Sequence, residues 1–188
     1  MAIKTAVIGL GIMGRRMLEN MLLHPDFVIS AIWDPDTTAC KAALSLVPSA
    51  FLAKNAAEAI AAADLVYLAC PPAPRKEYAY AAAVQNKAIF LEKPLGINVD
   101  ASSKLEQLLA ESDVDTAVNF TQAAGAALTD ILAAAVTGEL GELVGIDIIV
   151  TYANWPRAWQ KEAEWLKLRD EGGMTREVIS HFLFLSER

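Results

Sequence analysis

The chain is poor in cysteine and histidine and has no long apolar run. Its 188 residues contain two cysteines and two histidines. Cys40 and Cys70 cannot staple a secreted framework, and they make no metal cluster, so a reducing compartment and no bound metal are expected. No stretch reaches ~18 uninterrupted apolar residues, which excludes a membrane-spanning helix. Positive charge is also scarce: 16 Lys and Arg face 23 Asp and Glu, a net charge of −7. Such a chain repels phosphate, so neither nucleic acid nor an anionic membrane is expected as a partner. The apolar run after Lys4 is broken by Gly9, Gly11 and Gly14 and ends in Arg15-Arg16 without a small-residue cleavage site. It reads as part of the mature fold, and a cytoplasmic location is expected. What is abundant is apolar side chain. At 54% hydrophobic and 21% charged residues, the chain has ample surface to bury, which excludes disorder. At ~150 residues per domain, the length is more than one small domain and less than two full ones.

Short aliphatic runs alternate with alanine-rich helical stretches. Strands are predicted at Ile3–Ile8, Phe27–Trp33, Leu65–Cys70, Ala88–Leu91 and Val114–Phe120. Helices are predicted at Ile12–Leu23, Thr37–Leu46, Ala56–Ala63, about Arg75–Gln85, and Asp100–Glu111. Asn55 three residues before Glu58 is a capping-box-like helix start. Near-continuous apolar strands alternating with helices indicate an α/β fold, a doubly wound parallel sheet covered on both faces. The pattern changes after residue 120. Ala123–Val136 reads as one long apolar helix, Leu143–Tyr152 as a strand, Gln160–Glu171 as a charged segment and Thr175–Leu185 as a helix. Two domains are therefore expected, 1–120 and 121–188. The second offers one strand and no run able to pair with it, so another molecule completes it or the chain is a piece of something longer.

Gly9-Leu10-Gly11-Ile12-Met13-Gly14 is a G-x-G-x-x-G sequence that follows a predicted strand and opens a predicted helix, the context a dinucleotide site needs. Gly9 permits the tight turn, Gly11 lets backbone approach a pyrophosphate, and Gly14 lets helix and strand pack closely. The alternative is a plain βα turn with fortuitous glycines. Asp34 ends the second strand twenty residues beyond Gly14, where an acid accepts from the ribose hydroxyls. A carboxylate there repels a 2′-phosphate, and no Lys or Arg follows until Lys41, so NAD is favoured over NADP. Asp34 would also suit a turn before Pro35. A P-loop is excluded because no Gly-Lys-Ser/Thr is present. S-adenosylmethionine binding competes for the glycine loop but explains none of the later motifs.

Glu92-Lys93-Pro94 closes the strand at Ala88–Leu91, at the carboxyl edge where open α/β sheets bind ligands. A buried lysine there can position a hydroxyl; the plainer reading is a strand-end ion pair with Glu92. With these pieces the chain resembles the Gfo/Idh/MocA family, the glucose–fructose oxidoreductase and myo-inositol dehydrogenase group. The resemblance runs in order through Gly9–Gly14, Asp34, Cys70-Pro71-Pro72, Glu92-Lys93-Pro94, Asn119-Phe120, Gly138-Glu139-Leu140-Gly141, and Gly172-Gly173 with Glu177 and His181. It implies a Rossmann domain followed by an α/β substrate domain with an open, mostly antiparallel sheet, only begun here. It further implies NAD binding by Gly9, Gly11, Ile12, Met13, Gly14, Asp34, Cys70, Pro71, Pro72, Arg75, Glu92, Lys93 and Asn119. Lys93, Glu177 and His181 correspond to the family's catalytic trio, and a homo-oligomer, dimer or tetramer, follows from the same comparison. Residues i and i+4 share a helix face, so Glu177 and His181 could face one cleft.

The resemblance implies an oxidoreductase passing hydride between nicotinamide and a sugar, sugar acid or cyclitol hydroxyl, with His181 taking the hydroxyl proton. The chain departs from the family at three places. Glu177 stands where Asp is usual, Arg75 where a histidine is often found, and Phe184 where an acid is common. A non-catalytic NAD(P)-binding regulator or sensor of the same fold is therefore the alternative function, and a cofactor-binding fragment a further one. Cys70 is either a small buried residue or a thiol near the nicotinamide. Trp155, Trp159 and Trp165 are either a sugar-stacking set or interface packing.

Overall fold

The computed structural model describes residues 1–142, 144–161 and 163–187. The chain divides into two compact units, Met1–Asn119 and Phe120–Arg188. In the first, six strands form one parallel sheet: β1 (Ile3–Ile8), β2 (Phe27–Trp33), β3 (Phe51–Leu52), β4 (Leu65–Leu68), β5 (Ala88–Glu92) and β6 (Thr116–Asn119). Their order is β3-β2-β1-β4-β5-β6, the doubly wound arrangement in which strand order reverses between β1 and β4. The intervening helices are α1 (Ile12–Met21), α2 (Thr37–Leu46), α3 (Ala56–Ala61), α4 (Pro72–Val84) and α5 (Val99–Glu111).

The two-residue period of the strands sorts their side chains into two cores. Ala6, Ile8, Val66, Leu68, Ile89 and Leu91 face α3, α4 and α5 and meet Ile60, Ala79, Ala82, Leu105 and Leu109. Val7, Ile29, Ile32 and Tyr67 point the other way, onto Leu18, Met21, Cys40 and Ala43 of α1 and α2. Alanine on the helices lets them sit close to a sheet of large aliphatic side chains. Three helices carry side-chain N-caps: Asp36 on α2, Asn55 on α3 and Asn98 on α5. At α3 the Asn55 carboxamide accepts from Glu58 N–H at 2.9 Å. The Glu58 carboxylate reaches back one residue further than a capping box requires, to Lys54 N–H at 2.6 Å.

Several sequence expectations need correction. β3 has only two residues, too few to leave a pattern. Helix α4 begins at Pro72 instead of near Arg75, because proline's fixed φ and missing N–H suit a first helical position. In the second unit the single long helix is a 3₁₀ turn, Thr121–Ala124, followed by α6 (Ala126–Val136), with extended backbone at Gly125 between them. Leu143, the start of the predicted strand, lies outside the described residues. Residues 144–152 form no strand, and the antiparallel sheet expected there is not seen: no strand occurs among the described residues of this unit. A strand needs a ladder partner, and none is present there. The charged segment contains Glu162, which is also outside the described residues, and carries 3₁₀ turns at Ala158–Gln160 and Glu164–Lys167. The last helix is a π turn, Thr175–Ile179, continuing into α7 (Ser180–Ser186). Among the described residues no helix is long and apolar enough to cross a membrane. No group of three or more His, Cys, Asp or Glu there could hold a metal ion.

Candidate cofactor site

The turn from β1 to α1 depends on its glycines in different ways. Gly9 has φ +93°, and a Cβ there would lie 2.4 Å from the Cys70 nitrogen. A Cβ on Gly14 would lie 1.9 Å from the Gly9 carbonyl oxygen, so the first turn of α1 is pressed against the loop. Gly11 is different. A Cβ on it would meet nothing within 4 Å, and its φ of −68° is open to any residue. Gly11 is also the N-cap of α1, and this helix has no side-chain cap. The N–H groups of Ile12, Met13 and Gly14 precede the first intrahelical bond, from Arg15 N–H to Gly11 O at 3.0 Å. They face out of the positive end of the helix. Open space over uncapped N–H groups at the strand-order reversal fits a pyrophosphate.

Asp34 closes β2 beside this loop. Its Oδ2 accepts from Leu10 N–H at 2.6 Å and its Oδ1 from Asp36 N–H at 2.8 Å. Gly9 N–H donates to Trp33 O at 2.9 Å, and the Cys40 thiol donates to Asp34 O at 3.3 Å. The acid thus braces the glycine loop. A carboxylate has about four acceptor positions, so two remain for hydroxyl donors such as those of a ribose.

On the other side of the reversal point lie Cys70, Pro71 and Pro72, which lead from β4 into α4. Burial pushes the Cys70 thiol up, so it stays protonated and is a poor nucleophile. Arg75, on the first turns of α4, is buried. Its Nη2 donates to Cys70 O at 2.6 Å, and its Nη1 donates to the carbonyls of Glu92 and Pro94. Burial lowers the guanidinium's pKa, with Cys70 and Glu92 opposing.

Glu92 ends β5 with its carboxylate buried. It accepts from the Tyr67 hydroxyl on β4 and from the Asn119 carboxamide on β6 at 2.7 Å. Desolvation, then the Glu92 charge, push the Tyr67 phenol far above its usual range, so it remains a donor. Lys93 follows at once, half-buried. The structure thus brings Gly9–Gly14, Asp34, Cys70–Pro72, Arg75, Glu92, Lys93 and Asn119 to the carboxyl edge of one sheet.

Glu177 and His181 belong to the second unit. Glu177 sits in the π turn and accepts from Gln160 Nε2 at 3.4 Å. Gln160 is itself buried, and its Oε1 accepts from Arg157 N–H at 3.1 Å and from Arg157 Nε at 3.0 Å. His181, buried on α7, meets Phe120 edge-on at 5.7 Å, and Phe120 stacks on Phe184 at 4.1 Å. Gly172 precedes this helix in close contact. A Cβ on it would lie 2.6 Å from Leu166 Cα and from Trp165 O, while Gly173 has open space around it but a φ of +88°, so the two glycines answer different needs. The Arg157 guanidinium lies over the rings of Trp159 at 4.7 Å, Tyr152 at 5.0 Å and Trp155 at 6.0 Å.

Three polar residues at these places were not singled out from sequence, Tyr67, Arg157 and Gln160. A tyrosine inside an otherwise aliphatic β4 was a usable signal. Gln160 carried none.

The family model for GFO_IDH_MocA, an oxidoreductase family with an NAD-binding Rossmann fold, matches residues 3–120. The chain belongs to this family. Solved structures agree in fold with this Gfo/Idh/MocA chain. Myo-inositol 2-dehydrogenase from Lactobacillus plantarum superposes with a TM-score of 0.83 at 17% identity, covering 100% of this chain and 56% of that one. An NAD-binding protein from Listeria innocua gives 0.78 at 17% identity, covering 99% and 54%. Myo-inositol dehydrogenase from Lactobacillus casei, solved with NAD(H) and myo-inositol, gives 0.70 at 23% identity, covering 75% and 43%. The Gfo/Idh/MocA chain thus spans about half the length of these proteins. No curated protein matches it in sequence.

Proposed function

We propose that this chain carries the NAD-binding half of a dehydrogenase that oxidises a hydroxyl of a small polyhydroxylated compound, a sugar, sugar acid or cyclitol. The observation that carries the reading is the open, uncapped N-terminus of α1 beside Gly11, with Asp34 bracing the loop. It is supported by membership of the NAD-binding family and by the fold shared with the inositol dehydrogenases. The N–H groups of Ile12, Met13 and Gly14 would hold the pyrophosphate, and Asp34 the ribose hydroxyls. Asp34 also disfavours a 2′-phosphate, so NAD is preferred to NADP.

When bound, the nicotinamide supplies the hydride chemistry, and the chain supplies position and proton transfer. Lys93, fixed at the end of β5, donates from its ammonium to the substrate hydroxyl oxygen and stabilises negative charge developing there. His181 takes the hydroxyl proton. Glu177, held by Gln160, orients His181 or accepts from a neighbouring hydroxyl.

Calorimetric titration with NAD, followed by NADH absorbance across a panel of polyols, tests this. NAD binding with NADH formation is the expected result. Lys93→Met should lower turnover by about 10²–10⁴-fold with NAD affinity nearly unchanged. Turnover retained in that variant would remove Lys93 from the mechanism. Binding without reduction of NAD by any polyol would favour the sensor reading, which the replacement of the usual acid by Phe184, stacked on Phe120, supports.

A further inference from the structure

The turn that carries Lys93 lies beyond the reach of the β4–β5 ladder, whose pairing ends at Leu68 and Leu91. On the β6 side Glu92 still pairs with Asn119, but the β4 side offers no strand partner to the carbonyls of Glu92 and Pro94. Both carbonyls accept instead from one nitrogen, Nη1 of Arg75. They flank Lys93, so the main chain on either side of it is tied to a single point. The second arm of the same guanidinium holds Cys70 O, at the exit of β4. One side chain therefore replaces the missing ladder between two neighbouring strands. Its Nε is buried without a hydrogen-bond partner. Leaving such a donor unsatisfied carries a desolvation cost, which the three carbonyl contacts of the same guanidinium offset. Glu92 is gripped separately through its carboxylate by Tyr67 and Asn119, which leaves Lys93 as the residue set between two anchors.

We infer that Arg75 is a positioning residue for Lys93: its buried guanidinium fixes the Glu92–Pro94 turn and so sets where the Lys93 ammonium stands. The inference rests on the reading of Lys93 as a site residue, and the test separates the two. Arg75→Met and Arg75→Lys are made in the full chain. Two quantities are followed by mass spectrometry: amide hydrogen exchange of the 91–95 segment, and the protection of Lys93 against acetylation by added NAD.

In Arg75→Met, exchange over 91–95 should rise about tenfold while the β1 and β2 segments stay within about twofold. NAD protection of Lys93 should weaken about fivefold at saturating NAD, because the ammonium no longer holds one place. Arg75→Lys, which keeps the charge and part of the donor set, should fall between wild type and Arg75→Met. Should Arg75→Met not fold, the smaller local rise in Arg75→Lys decides. Unchanged exchange at 91–95, or an equal rise across the whole sheet, overturns the inference. If NAD fails to protect Lys93 in the wild type, the cofactor reading falls, and the exchange result still decides the part Arg75 plays.

Discussion

Gly11 and Gly14, three residues apart at the N-cap and in the first turn of α1, should respond to the same substitution in opposite ways. Gly11→Ala puts a methyl into open space at an ordinary φ, so thermal unfolding should change little. NAD affinity should nevertheless drop by about tenfold or more, ~1.4 kcal/mol, because the methyl occupies the place of a phosphate. Gly14→Ala drives a Cβ into the Gly9 carbonyl and should destabilise the fold by roughly 1–3 kcal/mol. Calorimetric titration and melting curves on the pair check both. A second residue-scale effect concerns pH. The Tyr67 phenol is raised by burial and by Glu92, whereas the unfolded phenol ionises near 10. Its contribution to stability is therefore complete below about pH 10 and is lost as pH climbs above it. Denaturant midpoints measured on either side of that value should fall less steeply in Tyr67→Phe than in the wild type.

Among the elements, Asn55 offers a clean test of local structure. Its carboxamide caps α3, and Asn55→Ala should cost about 1 kcal/mol in urea unfolding. That cap was legible in the sequence, as were the bounds of β1, β2 and α2. Each is an uninterrupted apolar or periodic run closed by a turn residue, so local pattern and tertiary environment agree. The carboxyl-edge residues were legible for a similar reason. A loop that tolerates no Cβ at Gly9 or Gly14 records its shape in residue type. What escaped detection is non-local. Arg75 was singled out, but only as a cofactor contact, and its bonds to the carbonyls of Glu92, Pro94 and Cys70 leave no local pattern; Gln160 meets Glu177 across a chain segment with no period. Residues 144–152 have an apolar strand composition, but composition cannot supply the neighbour a strand must pair with. The helical period over 175–185 likewise cannot show that its first turn is wound as π.

For the molecule as a whole, ligand binding should be felt mainly by the unit that holds the sheet. At a free NAD concentration of a hundred times Kd, linkage adds about 2.7 kcal/mol to the stability of the binding unit. Amide exchange in β1 and β4 should slow accordingly; exchange in α6 reports whether the second unit shares the gain.

The position of β1 at the centre of the sheet also bears on how the protein is made. Its two edges are covered by β2 and β4, and β4 leaves the ribosome only after α1, β2, α2, β3 and α3. At ~5–20 residues per second, the β4-side edge of this apolar strand waits for seconds before its partner exists. Nascent chains halted before β4 has cleared the ribosome should consequently be the ones that bind chaperones, and chains halted after it has cleared should be released.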